Sequence, residues 1–96
     1  MKVLWRKKAS QDLEAIYGYI LKESSQNAHM VFNKIYDLAN SLIVFPEKYP
    51  IEPILNNPQV RFAVVWSFKI IYTTQNDSVY IMRVFNTKQN PKKIIR

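Results

Sequence analysis

The sequence predicts an α+β fold: an N-terminal strand, a two-helix antiparallel hairpin, then an antiparallel meander of about three strands, with the hairpin covering one face of the sheet. Three observations carry that prediction. Two stretches in the first half place apolar residues at helical spacing, a Pro-rich segment follows them, and the last third reads as VRFAVV, SFKIIYTTQ and VYIMRVF. Runs so rich in Val, Ile, Phe, Tyr and Trp suit a pleated surface. With 96 residues, 48% apolar and 14% aromatic, residues 1–96 are read as a single domain able to pack a core.

KVLWR at residues 2–6 is a short strand candidate with Val3 and Trp5 on one face, and it is expected to join the later meander, giving an antiparallel sheet of about four strands. The first helix follows directly: Leu13, Ile16, Tyr17, Ile20 and Leu21 make an apolar stripe, and Ser10, or a residue slightly earlier, is the expected N-cap. Gly18 inside it costs about 1 kcal/mol of helix propensity. It is read either as a close approach of a neighbouring backbone or as a tolerated surface glycine.

Ser24-Ser25-Gln26-Asn27 interrupts the stripe and can cap a second helix running through Ala28, Val31, Phe32, Ile35, Leu38, Ala39 and Leu42 to Pro46. Pro46, Pro50, Pro53 and Pro58 then define an ordered loop, with Tyr49, Ile51, Ile54 and Leu55 as expected anchors. Asn76-Asp77 suits a two-residue hairpin turn because both residue types tolerate positive φ. That turn places Thr74 opposite Val79, Ile71 opposite Met82 and Lys69 opposite Val84. By alternation Lys69 and Ile71 share a face with Tyr80, Met82 and Val84, extending to Asn86 and Lys88, while Arg83 takes the other face. Leu13, Ile16, Ile20, Val31, Ile35, Leu42, Ile70, Ile81 and Val84 are the expected core.

The chain has no Cys and one His, which excludes a disulfide framework or thiolate metal site and leaves no expected cofactor or metal. The charged N-terminus lacks the apolar run of a signal peptide, and no window approaches a membrane span, so a cytoplasmic protein is expected. Formal charge is +7 and uneven: residues 1–58 hold seven Lys/Arg against six Asp/Glu, whereas residues 59–96 hold seven against Asp77 alone. Such asymmetry favours an acidic partner, against the plain alternative of solubility.

The order of elements resembles the RelE/ParE superfamily of bacterial toxins across nearly the whole chain. The residues that carry the resemblance are Trp5, Ala9, Asp12-Leu13, Ile16, Tyr19-Ile20, Leu42 through Pro46, Arg61, and Phe68-Lys69-Ile70-Ile71-Tyr72 followed by Val79, Ile81, Arg83 and Val84. Asn86-Thr87-Lys88-Gln89-Asn90-Pro91 is similar to the His-x-Arg-Gln-x-Pro ending of the ParE-like, plasmid-stabilisation branch, with Asn86 for His and Lys88 for Arg. The resemblance implies a growth-inhibiting toxin neutralised by a cognate antitoxin. ParE-like members poison DNA gyrase, whereas RelE-like members cleave mRNA on the ribosome.

Cleavage through a 2′-hydroxyl needs a proton acceptor, a donor for the leaving oxygen and cations for the phosphate. The resemblance places Lys69 at a strand Arg of the ribonucleases and Lys88 near a second basic position, and Tyr80 shares the Lys69 face. These three are the catalytic candidates, each with an ordinary packing or solvation reading beside it. Asp12 and Glu14, or Glu47 and Glu52, form no spaced pair suited to hydrolysis. A binding toxin needs only a shaped basic surface, for which Arg61, Lys69, Arg83, Asn86, Lys88 and Gln89 are the candidates. Gyrase binding is therefore preferred to mRNA cleavage, and an interaction module without toxicity is the third reading. The antitoxin's acidic segment is expected between hairpin and sheet, meeting Lys69, Arg83 or Lys88.

Overall fold

The computed structural model describes residues 2–53 and 57–88. In order come β1 (Val3–Trp5), α1 (Lys7–Leu21), α2 (Ser25–Ser41), β2 (Val60–Val65), β3 (Phe68–Gln75) and β4 (Ser78–Asn86). The described strands form one sheet in the order β1-β4-β3-β2. The meander is antiparallel, as expected, but β1 lies parallel to β4, with Val3 opposite Val79 and Trp5 opposite Ile81. The antiparallel four-strand expectation is thereby corrected at its first strand. Both helices lie between β1 and the meander in sequence, so the chain crosses over the sheet as parallel pairing requires.

Helix α1 starts at Lys7 rather than after Ser10, and Arg6 occupies its N-cap position without a side-chain cap. Arg6 N–H donates to the Ile81 carbonyl while its own carbonyl accepts from Ser10 N–H, both at 3.0 Å. One residue thus ends the strand ladder and opens the helix, leaving no room for a separate cap. Ser24 does cap α2, its hydroxyl accepting from Asn27 N–H at 3.1 Å. At Gly18 an added Cβ would meet nothing within 4 Å, so the surface-glycine reading holds.

Between helices and sheet lie Ala9, Leu13, Ile35, Ala39, Leu42, Ala63, Phe68, Ile70, Tyr72, Val79, Ile81 and Val84, with Ile16, Ile20 and Val31 partly buried at the margin. A smaller cluster of Val60, Ile71 and Phe85, with Met82 against it, occupies the opposite face. The Pro-rich loop runs beside β2: Glu52 N–H donates to Val60 carbonyl and Phe62 N–H to Pro50 carbonyl, which covers an otherwise open edge. Tyr49 packs on the core as expected. Ile51 does not, being 44% exposed, and the anchor is the neighbouring side chain, Glu52, which is fully buried. Ile54 and Leu55 lie outside the described residues.

The Asn76-Asp77 turn forms as predicted, with φ of 52° and 60° and Thr74 opposite Val79. Past Tyr72 the register slips at a bulge, so Ile71 faces Arg83 and Lys69 faces Phe85. An extra residue on one strand flips every later assignment. Tyr80 and Met82 stay on the Lys69 face, but Val84 turns to the helices and Phe85 takes the place expected for it. No helix among the described residues is long and apolar enough to cross a membrane.

Candidate partner-binding site

Strand β1 pairs only with Val79–Ile81, so the outer edge of β4 from Met82 onward has no strand beside it among the described residues. Helix α1 runs along that edge instead. The Asp12 carboxylate accepts from Val84 N–H at 3.0 Å and from both Nε (2.8 Å) and Nη2 (3.0 Å) of Arg83. A single side chain therefore satisfies an exposed ladder group and holds a guanidinium in a two-pronged pair. That hydrogen bond raises the Arg83 pKa further.

Beyond Asp12 the space between α1 and the sheet opens into a groove of about 570 Å³. Ile16, Ile20, Phe68 and Val84 give it an apolar lining, with Tyr19 and Asn86 at its margin. Tyr19 is 75% exposed. Asn86 belongs here rather than on the Lys69 face because the bulge has reversed its parity. Its Oδ1 accepts from Lys88 N–H at 3.0 Å, which keeps the exposed Lys88 beside the groove.

The other predicted cations are engaged within the fold. Lys69 lies on the opposite face of the sheet, its Nζ 2.7 Å from Glu52 Oε2 and 4.2 Å from the centre of the Phe62 ring. Arg61 donates to the Tyr49 carbonyl at 2.6 Å. Gln89 lies outside the described residues. The six expected binding residues thus do not share one surface: Arg83, Asn86 and Lys88 are gathered at the β4 edge, while Lys69 and Arg61 fix the Pro-rich loop.

The catalytic candidates do not converge either. Tyr80 pairs with Thr73, four residues along β3 from Lys69, a separation of about 13 Å at the usual strand rise. The Arg6 guanidinium covers the Tyr80 ring at 5.2 Å. Lys88 is three residues beyond Phe85, the partner of Lys69, and is tied to Asn86 on the groove side. Nearby, Tyr72 donates to the Pro46 carbonyl at 2.5 Å, and its hydroxyl is pushed up to about 12, chiefly by burial.

Sequence reasoning missed Asp12 and Glu52 as organising groups. In the sequence Glu52 figures only as a member of a hydrolytic pair, and Asp12 only as that and as one of the residues of the family resemblance; the signal that identifies their role is long-range, because each carboxylate meets a cation on a strand remote in sequence.

The sequence matches, over residues 3–91, the family described as ParE toxin of type II toxin-antitoxin system, parDE. A chromosomal ParDE toxin–antitoxin system from P. aeruginosa is similar in structure, with a TM-score of 0.74 at 24% identity over 90% of this chain and 95% of that one. The RelB-RelE antitoxin-toxin complex from Methanococcus jannaschii gives a TM-score of 0.52 at 18% identity, covering 88% and 91% of the two chains. A conserved hypothetical protein from Helicobacter pylori gives 0.51 at 13%, covering 93% and 97%. No curated protein matches in sequence.

Proposed function

Because this chain belongs to the ParE toxin family of type II toxin–antitoxin systems, we propose that it is a growth-inhibiting cytoplasmic toxin that binds and poisons DNA gyrase and is held inactive by a cognate antitoxin. The observation that carries gyrase over mRNA cleavage is the dispersal of the catalytic candidates. Lys69 is neutralised by the buried Glu52, Tyr80 lies under Arg6, and Lys88 stands apart at the groove. In-line cleavage needs acid, base and phosphate-binding cation within a few ångströms of one phosphate. A binding toxin does not.

The antitoxin reading rests on the groove between α1 and β4. An apolar groove between a helix and a sheet accepts a segment of another chain, and the net charge of +7 favours an acidic one. Its apolar side chains seat on Ile16, Tyr19, Ile20 and Phe68, and Lys88 meets its carboxylates. The relative from P. aeruginosa, described as a ParDE system, supports a partner of this kind.

Two assays run side by side test the function. Purified protein is titrated into a gyrase supercoiling reaction and into a translating system in which mRNA cleavage is read by primer extension. Loss of supercoiling with intact message is the expected result; cleaved message with normal supercoiling would overturn it.

A further inference from the structure

The β2–β3 hairpin turns through Trp66 and Ser67, between the paired Val65 and Phe68. Trp66 has a φ of 53°, a left-handed conformation that glycine or asparagine adopts readily and a bulky aromatic does not. The residue is nevertheless 54% exposed, so burial offers only part of the compensation. Strain kept at an exposed position points to a role outside the fold's own stability.

The surroundings of the ring say what it would meet. Lys34 of α2 holds its Nζ 5.7 Å from the ring centre. Ser67 carbonyl accepts from Thr87 N–H at 2.7 Å, which brings the end of β4 and the exposed Lys88 to the same hairpin tip. No acidic residue occurs between Val60 and Phe68. An exposed tryptophan flanked by lysines is the composition of an interface anchor that enters an apolar pocket with an acidic rim.

We infer that this hairpin tip is the surface that engages the toxin's target, with Trp66 as the apolar anchor and Lys34 and Lys88 facing acidic groups on a protein partner. The assignment rests on the gyrase reading above and gives it a surface. Only the apolar anchors are separate: the antitoxin's seat in the α1–β4 groove, which Trp66 does not line, while Lys88 is common to the two surfaces.

The test uses Trp66→Asn, which suits the left-handed turn and removes the ring, with Trp66→Tyr to restore an aromatic. Trp66→Asn is expected to melt no lower than the wild type and to need at least about tenfold more protein for half-inhibition of supercoiling by purified gyrase. Trp66→Tyr should recover most of the activity, and Lys34→Glu should weaken inhibition several-fold. Inhibition by Trp66→Asn within about twofold of wild type, or a clear drop in its melting temperature, overturns the inference while the gyrase reading stands. A wild-type protein that fails to inhibit gyrase overturns both. Binding of duplex DNA alone that Trp66→Asn abolishes would assign the ring to nucleic acid and overturn the protein partner.

Discussion

At the scale of single residues, the Pro-rich loop is held by groups that titrate or carry charge, and each makes a prediction. Tyr72 has its hydroxyl against the Pro46 carbonyl and a pKa raised to about 12, mainly by burial. An unfolded tyrosine titrates near pH 10. The unfolded chain therefore releases this proton first, and the stability Tyr72 contributes is complete below about pH 10 and falls away as pH rises toward 12. Wild type should lose roughly 2 to 3 kcal/mol over that interval. Tyr72→Phe, though about 1 kcal/mol less stable at neutral pH for want of its hydrogen bond, should lose less; parallel alkaline profiles in urea titrations would deny Tyr72 the role. Lys69→Met removes the ammonium that faces the buried Glu52, and should cost about 3 kcal/mol, of which Glu52→Leu in the same chain restores most. Equal losses in the single and double variants would show that the pair does not fix the loop. None of this was legible in the sequence, where a glutamate in a Pro-rich loop has every mark of a solvated surface group. Only the approach of β3 shows why it is buried.

The same contrast runs through the elements. The helices and the Asn76-Asp77 turn were legible because their signals are local: apolar stripes at a helical period, a capping Ser24, and two residues that accept positive φ. The β4 bulge was not, since Met82-Arg83 carries no glycine or other marker, and the slip reverses the parity of Val84 and Asn86. At the bulge β4 meets α1. Where β1 ends, β4 needs a partner for its outward N–H, and Asp12 supplies one while holding Arg83. Asp12→Ala should therefore cost about 2 kcal/mol, as loss of a charge-assisted, partly buried set does, and should speed hydrogen exchange at Val84 N–H specifically. A shift of the urea midpoint with exchange at Val84 unaltered would mean that the helix, not the carboxylate, protects the edge.

For the molecule as a whole, the excess of positive charge in residues 59–96 suggested one basic surface, and the fold divides it. Lys69 and Arg83 face carboxylates, so reversing Lys69 would set two acids together and report on stability rather than docking. Lys88 is exposed beside the groove, and Tyr19 presents its ring there with 75% of its surface accessible. These two residues allow the long-range and contact parts of antitoxin binding to be measured apart. Charge acts on encounter before contact is made and is screened over about 10 Å at 0.1 M salt, whereas an apolar anchor acts only once it is seated. Lys88→Glu, which lowers the net charge by two, should slow association several-fold at low salt and flatten its salt dependence, with little change in dissociation. Tyr19→Ala should leave the on-rate alone and speed dissociation about tenfold or more, as truncating an aromatic anchor does. Stopped-flow binding of the cognate antitoxin reads both rates. An unchanged off-rate in Tyr19→Ala would remove the antitoxin from the groove, and an unchanged on-rate in Lys88→Glu would leave the groove occupied but its charge without a steering role.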